Sequence, residues 1–449
     1  MQYYSLTDRT LTASFGDALL SSLAPDGGLY MPTSLPKFSA SQQAGLGAMS
    51  FARCAATLAR YFTDARFSDE ALGDICADAY DFPVPMTTMG RHILDAATPE
   101  DEREFFLELF HGPTLAFKDF AARFMGRAAS HLMKQSAEQR TILVATSGDT
   151  GGAIGYAFLG QPGVKVYILY PEGGVSKVQE QQLTTMGRNS NVKAIKVTGT
   201  FDDAQALVKA AFADKALSTK HNLMSANSIN VGRVIPQSFY YFWTAIKAKA
   251  AYPNRPLVYS IPSGNLGNLT GGLIAKRMGA PIDRFVVGHN ANDPLIDYLA
   301  SGEYSPRPSV PTLSNAMDIG RPNNFPRILS LYDDDHSAIT KDVWGASFTD
   351  EQTARHVRRV YNEKGYLMCP HTAIGHLAME AFSKDVDTDF TKIIVSTAHP
   401  AKFANEVGRI IREDIALPKP LSSLMSRTAY AHEMAPSLSN LADYLARTA

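Results

Sequence analysis

Residues 257–272 read LVYSIPSGNLGNLTGG, an apolar run that is followed at once by a glycine-rich segment. A short run of consecutive apolar residues is typical of a parallel strand that is buried on both faces. The glycines let several backbone N–H groups converge where the next segment, LIAKRMG at residues 273–279, is predicted to continue as a helix, and this arrangement suits a phosphate group. The spacing matches neither the dinucleotide-binding motif nor the P-loop, and an ordinary tight turn is an equal alternative at this point.

Further short apolar runs alternate with longer amphipathic segments after about residue 104. This alternation predicts parallel strands with crossover helices, so the expected fold class is α/β. Two of the helices carry capping boxes, in which Ser176 precedes Gln179 and Thr349 precedes Gln352, and Gly365 marks the end of the second helix. The other predicted strands cover residues 141–146, 164–170, 192–197, 284–288 and 392–397.

The composition narrows the class of protein. The chain has 449 residues, and its 43 Lys and Arg against 44 Asp and Glu leave a net charge of −1. Such a chain has no general attraction to nucleic-acid backbones or anionic lipids, so neither is an expected partner and an anionic ligand needs a local site. No run reaches the roughly 18 apolar residues of a membrane span, and the N-terminus lacks a secretion signal, which predicts a cytoplasmic protein. Cys54, Cys76 and Cys369 fit no disulfide or metal spacing, so we expect buried thiols and no metal site.

The N-terminal part of the chain differs in character from the rest. Residues 1–100 combine Gly-Pro turns with one Ala-rich helical stretch at about residues 52–79, and they lack a cluster of reactive groups. We therefore predict an accessory domain over residues 1–100 and a second, larger unit over residues 101–449. Within the larger unit, residues 301–326 are rich in Ser, Pro and Asn and are predicted to form an ordered loop.

A lysine stands between two phenylalanines in the stretch FHGPTLAFKDF, residues 110–120. Lys118 is predicted to lie at the start of a helix, because apolar residues recur at helical spacing after it. An ammonium group that is desolvated beside aromatic rings loses part of its proton affinity, as a lysine that acts as a nucleophile near neutral pH requires. The common alternative is a lysine that extends to solvent next to a hydrated Asp119.

The predicted strand at residues 141–146 also runs into a small polar loop, SGDTGG at residues 147–152. In an open α/β sheet, ligands bind at the carboxyl ends of the strands, where loops meet helix N-termini. The hydroxyl groups of Ser147 and Thr150 are therefore candidate ligands of a carboxylate or a phosphate. Asp149 either caps the following helix or has a role in the site, and the sequence leaves these two interpretations equal.

A reactive lysine, a phosphate-binding loop and a parallel sheet together match the needs of pyridoxal phosphate, whose aldehyde and phosphate each require a site. Five blocks follow one another in an order that resembles the signature blocks of the threonine synthase family, within the tryptophan-synthase-β-like (fold type II) pyridoxal-phosphate enzymes. The blocks are HGPTLAFKDF (111–120), ATSGDTG (145–151), SANSINVGR (225–233), PSGNLGNLTGGL (262–273) and STAHPAKF (396–403). Residues 14–32, SFGDALLSSLAPDGGLYMP, also resemble the N-terminal domain of the longer bacterial and fungal branch of that family.

The resemblance implies a two-domain core of parallel sheets, with a small and a large subdomain, and a role for each matching residue. Lys118 would bind the cofactor's aldehyde as an imine and would later move protons on the substrate. Thr397 would place its hydroxyl group at the pyridine nitrogen. The residues implied in holding the cofactor phosphate are Gly264, Asn265, Leu266, Gly267 and Asn268, and those implied in binding the substrate are Ser147, Thr150, Asn227, Ser228 and Arg233.

The activity implied by the resemblance is that of a pyridoxal-phosphate-dependent carbon–oxygen lyase acting on phosphates, in the last step of threonine biosynthesis. O-phospho-L-homoserine and water would give L-threonine and phosphate. Two phosphate groups would therefore have to bind at once, one on the cofactor and one on the substrate. The alternatives are a related phospho-lyase acting on O-phosphohomoserine and a non-catalytic homologue that binds a metabolite. A monomer or a homodimer is expected.

Some residues of the blocks keep open roles. Leu266 and Asn268 stand where the family more often has Phe and Asp, which leaves the functions of these two side chains undecided. His111, His371 and His399 are candidate acid–base residues, but a lone histidine in such a loop is more often structural. Because the lysine can itself transfer protons, we assign no catalytic role to the three histidines.

Overall fold

The computed structural model describes residues 1–88, 91–92, 103–136 and 139–448. Its strands, in chain order, are β1 (Gln2–Ser5), β2 (Thr12–Ser14), β3 (Tyr30–Pro32), β4 (Met86–Thr88), β5 (Arg91–His92), β6 (Glu104–Glu108), β7 (Arg140–Ala145), β8 (Val164–Pro171), β9 (Val192–Val197), β10 (Leu223–Ser225), β11 (Leu257–Pro262), β12 (Arg284–His289), β13 (Val343–Ser347), β14 (Thr391–Ser396) and β15 (Ala431–Met434).

The helices are interleaved with these strands. In chain order they are α1 (Phe15–Ser21), α2 (Ala40–Gly47), α3 (Phe51–Arg60), α4 (Asp69–Ala79), α5 (Lys118–Ser136), α6 (Asp149–Phe158), α7 (Lys177–Thr184), α8 (Phe201–Ala213), α9 (Lys215–Lys220), α10 (Val231–Ala251), α11 (Gly267–Arg277), α12 (Pro294–Ser301), α13 (Phe325–Leu331), α14 (His336–Asp342), α15 (Asp350–Lys364), α16 (Pro370–Asp385), α17 (Ala404–Ile411), α18 (Lys419–Met425) and α19 (Leu438–Thr448). Two 3-10 helices cover Asn315–Met317 and Pro400–Phe403.

Two largely parallel sheets organise most of the chain. The larger sheet has the strand order β13-β12-β11-β14-β6-β4-β5, in which the first five strands are parallel and the last two pair antiparallel. The smaller sheet, β10-β7-β8-β9-β15, is parallel throughout. A third sheet, β2-β1-β3, is antiparallel and contains the N-terminal strands. The predicted α/β class with two parallel-sheet units is confirmed.

The predicted strand positions agree closely with the structure. All six strands proposed from apolar runs are present, and each end lies within one residue of its predicted position. All six residues of β11 are buried, as a run of consecutive apolar residues predicts. Both capping boxes are formed, at Ser176 with Gln179 and at Thr349 with Gln352, and Gly365 ends α15 in the left-handed conformation.

The helical stretch predicted at about residues 52–79 is confirmed, and it consists of two helices, α3 and α4. The chain turns between them where the Asp64 carboxylate accepts a hydrogen bond of 3.0 Å from the backbone N–H of Arg66. The Ser68 hydroxyl then accepts from the N–H of Ala71 at 3.1 Å and caps α4. The loop predicted at residues 301–326 is confirmed for residues 302–324, with one short 3-10 helix within it, because Ser301 ends α12 and Phe325 begins α13.

The N-terminal residues share a hydrophobic core with the larger unit. Tyr3 and Phe15 belong to the same buried cluster as Phe120 of α5 and Phe239 of α10. Contact between these side chains removes apolar surface from water on both sides, so the N-terminal segment helps to hold the two long helices in place. The predicted boundary between residues 100 and 101 lies outside the described residues and stays a prediction.

Two further predictions concern cysteines and membranes. Cys54, Cys76 and Cys369 are buried and free of disulfides, which confirms the expectation of buried thiols. Within the part of the chain that the structure describes, no helix has both the length and the apolar character that crossing a bilayer requires.

One group of potential metal ligands lies away from the sites predicted above. His356, His376 and Glu380 offer ligand atoms within 4.8 Å of one another. However, Arg359 donates to the Glu380 carboxylate at 2.6 Å and approaches His356 Nδ1 at 3.0 Å, while the two imidazole rings contact each other at 3.1 Å. These polar groups therefore satisfy one another's hydrogen bonds. Their clustering is explained by the contacts with Arg359 and does not require a metal ion.

Candidate active site

One cleft lies at the carboxyl ends of strands from both parallel sheets. The segments that follow β6, β7, β11 and β14 contribute to it, in agreement with the usual position of ligand sites in open α/β sheets. Its volume is about 970 Å³, including the space at its mouth. The cleft is lined by every predicted site residue: Lys118, Ser147, Thr150, Asn227, Ser228, Arg233, Gly264, Asn265, Leu266, Gly267, Asn268 and Thr397. The structure therefore brings the predicted cofactor-binding and substrate-binding residues together.

Lys118 is the first residue of α5, as predicted, and only 16% of its side chain is exposed. Its Nζ atom lies 5.0 Å from the centre of the Phe117 ring. The second predicted aromatic neighbour is wrong, because Phe120 packs against Tyr240 and Phe51 in the core. Burial lowers the pKa of Lys118 below its ordinary value, although the Asp149 carboxylate opposes that change. Lys118 is thus a desolvated amine at the cleft.

Asp119 does not act as the hydrated neighbour of an extended lysine. It is fully buried, and its carboxylate accepts hydrogen bonds from the backbone N–H of Thr114 at 2.8 Å and from the Thr114 hydroxyl at 2.7 Å. Burial raises the pKa of Asp119 to about 6, against the effect of these two hydrogen bonds. The carboxylate therefore holds the loop that precedes Lys118, and the alternative of a lysine extending to solvent is wrong.

The glycine-rich loop after β11 provides a set of backbone donors. Leu266 adopts the left-handed conformation, with φ 59° and ψ 6°, and α11 begins at the next residue without a side-chain cap. The first N–H groups of a helix lack acceptors within the helix, and the helix dipole adds partial positive charge there. The loop is therefore suited to an oxyanion such as a phosphate. The tight turn, which the sequence offered as the alternative, is present at Leu266 as part of this same loop.

Gly264 of this loop has no room for a side chain. A Cβ atom at this position would lie 2.7 Å from the Cα atom of Met317 and 3.0 Å from its carbonyl oxygen. Since both of those atoms belong to the backbone, either the loop or the segment around Met317 would have to shift to make room for a Cβ atom at residue 264. The close packing of these two segments therefore sets the shape of the donor loop.

The variant Gly264→Ala is expected to weaken binding of pyridoxal phosphate by about tenfold, because overpacking typically costs about 1–3 kcal/mol. Equilibrium titration of the purified chain with the cofactor measures this effect. Gly152→Ala is the matched control, since a Cβ atom there would have no neighbour nearer than 3.8 Å. Equal cofactor affinity in the two variants would contradict the importance of the Gly264 contact.

Asn265 connects the donor loop with the block predicted to bind substrate. Its side-chain amide donates to the Ser228 hydroxyl at 2.9 Å, and its Oδ1 atom accepts from the backbone N–H of Asn323 at 2.6 Å. The side chain of Asn324 donates to the backbone carbonyl of Asn265 at 2.9 Å. The two predicted phosphate-binding regions are therefore adjacent and share a hydrogen bond.

Asn268 presents an unusual buried donor. Its Oδ1 atom accepts from the hydroxyl groups of Tyr240, at 2.6 Å, and Tyr241, at 2.9 Å, which fixes the orientation of the amide. The Nδ2 atom is buried and has no partner among the residues that the structure describes. Buried donors are normally satisfied, so an unpartnered one in a cleft indicates a ligand that accepts from it.

Thr397 follows β14 and lies beside the segment that carries Lys118. Its backbone carbonyl accepts from the N–H of Phe117 at 2.8 Å, and the N–H of His399 donates to the carbonyl of Leu115 at 3.1 Å. This short antiparallel bridge holds the residues after β14 against the residues before α5. The Thr397 hydroxyl is therefore on the same cleft as the lysine, although its predicted partner, the pyridine nitrogen, is a proposal.

Arg233 lies in the first turn of α10, after the helix is capped by Asn230. It is only 4% exposed, so the alternative of an ordinary surface arginine is wrong. One Nη1 hydrogen bond of 2.6 Å reaches the carbonyl of Ala226, whereas Nε is buried and has no partner in the described part of the chain. No ion pair among the described residues includes Arg233, and burial lowers its pKa to about 10. A buried guanidinium without a carboxylate indicates a site for an anionic ligand.

The loop after β7 is shaped by Thr146, whose hydroxyl accepts from the N–H groups of Gly148 at 3.0 Å and Gly151 at 2.8 Å. Gly148 occupies the N-cap position of α6 with φ 126° and has no side chain to cap the helix, so the Thr146 hydroxyl takes the first-turn N–H of Gly151 instead. Ser147 and Thr150 flank that position and line the cleft, as predicted. The capping role considered for Asp149 is wrong, because the residue lies within α6 rather than before it.

Asp149 is instead part of a buried ionic group. Its Oδ1 atom lies 2.9 Å from Nζ of Lys402 and accepts from the Gln179 amide at 2.9 Å, while its Oδ2 atom lies 3.9 Å from Nζ of Lys118. Burial alone would raise the pKa of Asp149, but the two ammonium groups hold that pKa well below its usual value. The carboxylate is therefore ionised in the folded protein.

The sequence interpretation did not assign functions to several residues that the structure places here. Lys402 lies within the STAHPAKF block, but nothing in its spacing relates it to Asp149. His371 lines the cleft and accepts from the N–H of Ala316 at 3.2 Å, and burial lowers its pKa to about 4, so it is neutral. Other lining residues are Phe201, Gln205, Gln237, Met317 and Ile319.

These observations fit pyridoxal phosphate. The desolvated amine of Lys118 suits an aldehyde, and the uncapped start of α11 with the unpartnered Nδ2 of Asn268 suits the phosphate. A second anion, on the substrate, fits the separate group that contains Arg233. The cleft therefore has the donors that this cofactor and a phosphorylated substrate require.

Comparison with known proteins agrees with this interpretation. The family model "Pyridoxal-phosphate dependent enzyme" matches residues 95–397, "Threonine synthase N terminus" matches residues 2–80, and "Threonine synthase, C-terminal" matches residues 372–445. The threonine synthase of Escherichia coli (strain K12) is 37% identical over 439 residues, which cover 97% of this chain and 96% of that protein.

Solved structures show the same likeness. The crystal structure of threonine synthase from Escherichia coli superposes with a TM-score of 0.90 at 36% identity and covers 100% of both chains. The structure of PLP-bound threonine synthase from Brucella melitensis also gives a TM-score of 0.90, at 34% identity, and covers 100% of this chain and 99% of that one. The chain therefore belongs to the threonine synthase family of pyridoxal-phosphate-dependent enzymes.

Proposed function

We propose that this chain converts O-phospho-L-homoserine and water to L-threonine and inorganic phosphate, with pyridoxal phosphate as cofactor. The observation that carries the proposal is the pair of anion-binding groups beside one desolvated lysine. The uncapped N-terminus of α11 would hold the cofactor phosphate, and the group around Arg233 would hold the substrate phosphate. An enzyme with a single phosphorylated ligand would not need both.

The substrate-binding roles follow from chemistry and position. Arg233, Asn227 and Ser228 offer a guanidinium, an amide and a hydroxyl from one block at the start of α10. Ser147 and Thr150 would close the site from the loop after β7 with their hydroxyl groups and the amides of α6. Asn265 donates to Ser228, so its contact would orient the Ser228 hydroxyl relative to the substrate phosphate.

Proton transfer is the task proposed for Lys118. When bound, the cofactor supplies an electron sink that stabilises negative charge developing on the substrate's carbons. Lys118 would remove a proton from Cα and then one from Cβ, after which phosphate would leave Cγ with the electrons of the C–O bond. Cγ would then gain a proton, water would add its hydroxide at Cβ, a proton would return to Cα, and the remaining proton of the water would be taken up by the released phosphate. Thr397 would donate to or accept from the cofactor's ring nitrogen as a neutral group, and His371, which is also neutral, has no assigned proton-transfer role.

Product analysis tests the proposed reaction. The purified chain, loaded with pyridoxal phosphate, is incubated with O-phospho-L-homoserine, and amino acids, keto acids and phosphate are quantified. Threonine and phosphate in equal amounts are expected. Formation of 2-oxobutyrate with ammonia and phosphate would identify a phospho-lyase instead, and an absence of any product would favour the non-catalytic homologue. Borohydride reduction that fixes the cofactor to a peptide containing Lys118 tests the lysine assignment separately.

The variant Arg233→Ala is expected to lower kcat/KM for phosphohomoserine by about 10- to 100-fold, because a hydrogen bond to a charged group contributes about 1.5–3 kcal/mol. Cofactor absorbance should persist, since the groups assigned to the cofactor phosphate lie on the loop after β11. Steady-state kinetics together with an absorption spectrum measure both effects. Arg188→Ala, which removes an exposed arginine, is the control. An unchanged kcat/KM in Arg233→Ala would remove this residue from the substrate site.

The domain division, the location and the oligomeric state stay predictions. The N-terminal family model ends at residue 80 and the cofactor-enzyme model begins at residue 95, which supports a division near residue 100. We also propose a cytoplasmic monomer or homodimer that has neither nucleic-acid nor membrane partners. Light scattering after size-exclusion chromatography of the full chain, read against its mass of 48.8 kDa, measures the oligomeric state.

A further inference from the structure

Two buried lysines share one carboxylate at the floor of the cleft. Asp149 lies 2.9 Å from Nζ of Lys402 and 3.9 Å from Nζ of Lys118. Lys402 is completely buried, and it is not among the residues that line the cleft. The mechanism proposed above uses Lys118 and leaves both Asp149 and Lys402 without a task. A buried ammonium group is costly unless it is paired, so its presence beside the reactive lysine calls for an explanation.

Lys402 is held firmly in its position. It belongs to the 3-10 helix Pro400–Phe403, which follows Thr397 after a short connection. Its Nζ atom donates to the carbonyl of Thr114 at 2.7 Å, and its own carbonyl accepts from the Ser176 hydroxyl at 2.8 Å. Because Thr114 is in turn fixed by Asp119, the ammonium group of Lys402 cannot easily leave Asp149.

Lys402 and Lys118 compete for the carboxylate of Asp149. Asp149 is an acceptor for two ammonium groups, but the nearer contact and the hydrogen bond belong to Lys402, and the Gln179 amide binds the same oxygen atom. An ionised carboxylate that faced Lys118 alone would form a full ion pair with it and would hold it in the protonated form. With Lys402 present, Lys118 is next to a carboxylate that is already neutralised.

Other groups also act on Lys118 and must be included. Burial lowers its pKa, and the positive charges of Lys402 and Arg233 act in the same direction, whereas Asp149 and the Cys369 thiol oppose them. His371 from the start of α16 is neutral, with a pKa lowered to about 4 by burial. Lys402 also faces Asp119 and His399, and the latter is neutral because burial lowers its pKa to about 4. Lys402 is the cation nearest to the carboxylate that would otherwise pair with Lys118.

We propose that Lys402 is a positioning residue, which engages Asp149 and thereby keeps the amine of Lys118 available in its neutral, nucleophilic form. The inference rests on the proposed role of Lys118 as the lysine that binds the cofactor aldehyde. The proposal predicts in which direction the protonation of Lys118 changes when Lys402 or Asp149 is replaced. Removing Lys402 leaves the carboxylate to Lys118 and favours the ammonium form, whereas removing the charge of Asp149 favours the neutral amine.

The test measures the protonation of Lys118 itself. The full-length chain, freed of cofactor, is labelled with a trace of acetic anhydride at a series of pH values, and mass spectrometry quantifies acetylation of the Lys118 peptide. The midpoint of this profile is expected to rise by about one pH unit or more in Lys402→Met and to fall by a similar amount in Asp149→Asn, since a charge within about 4–6 Å shifts a pKa by about 1–3 units. At pH 7, imine formation with added pyridoxal phosphate should slow by about tenfold in Lys402→Met.

Controls separate this role from a general structural one. Lys402→Arg keeps the positive charge and should retain most of the wild-type midpoint, and Lys134→Met removes an exposed lysine of the same helix, α5, and should change nothing. Circular dichroism verifies folding, and if Lys402→Met does not fold, Lys402→Gln replaces it. Midpoints that stay the same or move in one direction in both the Lys402 and the Asp149 variants would overturn the proposal. This readout does not need turnover, so it remains decisive if the proposed reaction is not observed.

Discussion

The variant Lys118→Ala is expected to lose the visible absorbance of the bound cofactor and to lower kcat by about 10³-fold or more, because general acid–base catalysis alone contributes about 10²- to 10⁴-fold. The amine of Lys118 is buried, its pKa is lowered, and it lines the cleft, where a cofactor can reach it. Lys402 cannot replace it, since its ammonium group is bound to Thr114 and Asp149 and does not line the cleft. Absorption spectra and steady-state kinetics of the purified variant measure both losses.

The fold of Lys118→Ala should be retained. The side chain makes one long contact with Asp149 and one with the Phe117 ring, and neither holds a helix or strand in place. Lys134→Ala, at an exposed position near the end of the same helix, is the control and should keep both colour and turnover. Turnover at the wild-type rate in Lys118→Ala would refute the assignment of this lysine and, with it, the proposed mechanism.

The parallel sheets and the cleft could be predicted because their signals are local. A buried strand such as β11 is a run of apolar residues, and the loop that follows it reveals itself by glycines at the point where a helix must begin. Since parallel strands end at one edge of a sheet, loops that are far apart in sequence are brought to one place. This geometry explains why residues as distant as Lys118 and Thr397, which come after the neighbouring strands β6 and β14 of the larger sheet, line one cleft, as predicted.

The contacts that support the cleft could not be predicted in the same way. Asp149 pairs with Lys402 across more than half of the chain, and no spacing rule relates an aspartate at the start of one helix to a lysine in the 3-10 helix after β14. The same holds for Phe120, whose helical periodicity is compatible with either face of α5 and whose ring faces the core. The turn at residues 61–68, within the predicted helical stretch, was not placed by composition either, because the local hydrogen bonds of Asp64 and Ser68 form it.

Arg327 of α13 shows how a residue outside the predicted blocks holds the site together. It is completely buried, and the ion pairs found in the described ranges do not include it. Its guanidinium donates to the carbonyls of Tyr30, Ser228 and Ile229, at 3.2, 2.8 and 2.6 Å, and to the Asn324 side chain at 2.6 Å. Burial lowers the pKa of Arg327 to about 9. One side chain thus connects the N-terminal sheet with the block that contains Ser228.

The variant Arg327→Met is expected to lower the free energy of unfolding by about 3–5 kcal/mol, because each buried acceptor that loses its donor costs about 1–3 kcal/mol, while loss of a buried charge offsets part of the sum. Urea denaturation followed by circular dichroism measures this change. The variant should also raise KM for phosphohomoserine, since Ser228 and Ile229 lose the donor that fixes their backbone. Arg327→Lys keeps the charge but offers fewer donors in a different geometry, so its free energy of unfolding should lie between those of the wild type and Arg327→Met.

Arg60→Met is the matched control for the stability of Arg327→Met. Arg60 pairs with Asp69 on the surface, where the two side chains are 66% and 65% exposed, and an exposed ion pair contributes less than about 1 kcal/mol. The difference between the two variants in the free energy of unfolding therefore measures how much burial and hydrogen bonds to four acceptors increase the contribution of an arginine to stability. If Arg327→Met were as stable as Arg60→Met, the carbonyls around Arg327 would have found other donors, and the guanidinium would not be the connection between the N-terminal sheet and the substrate block.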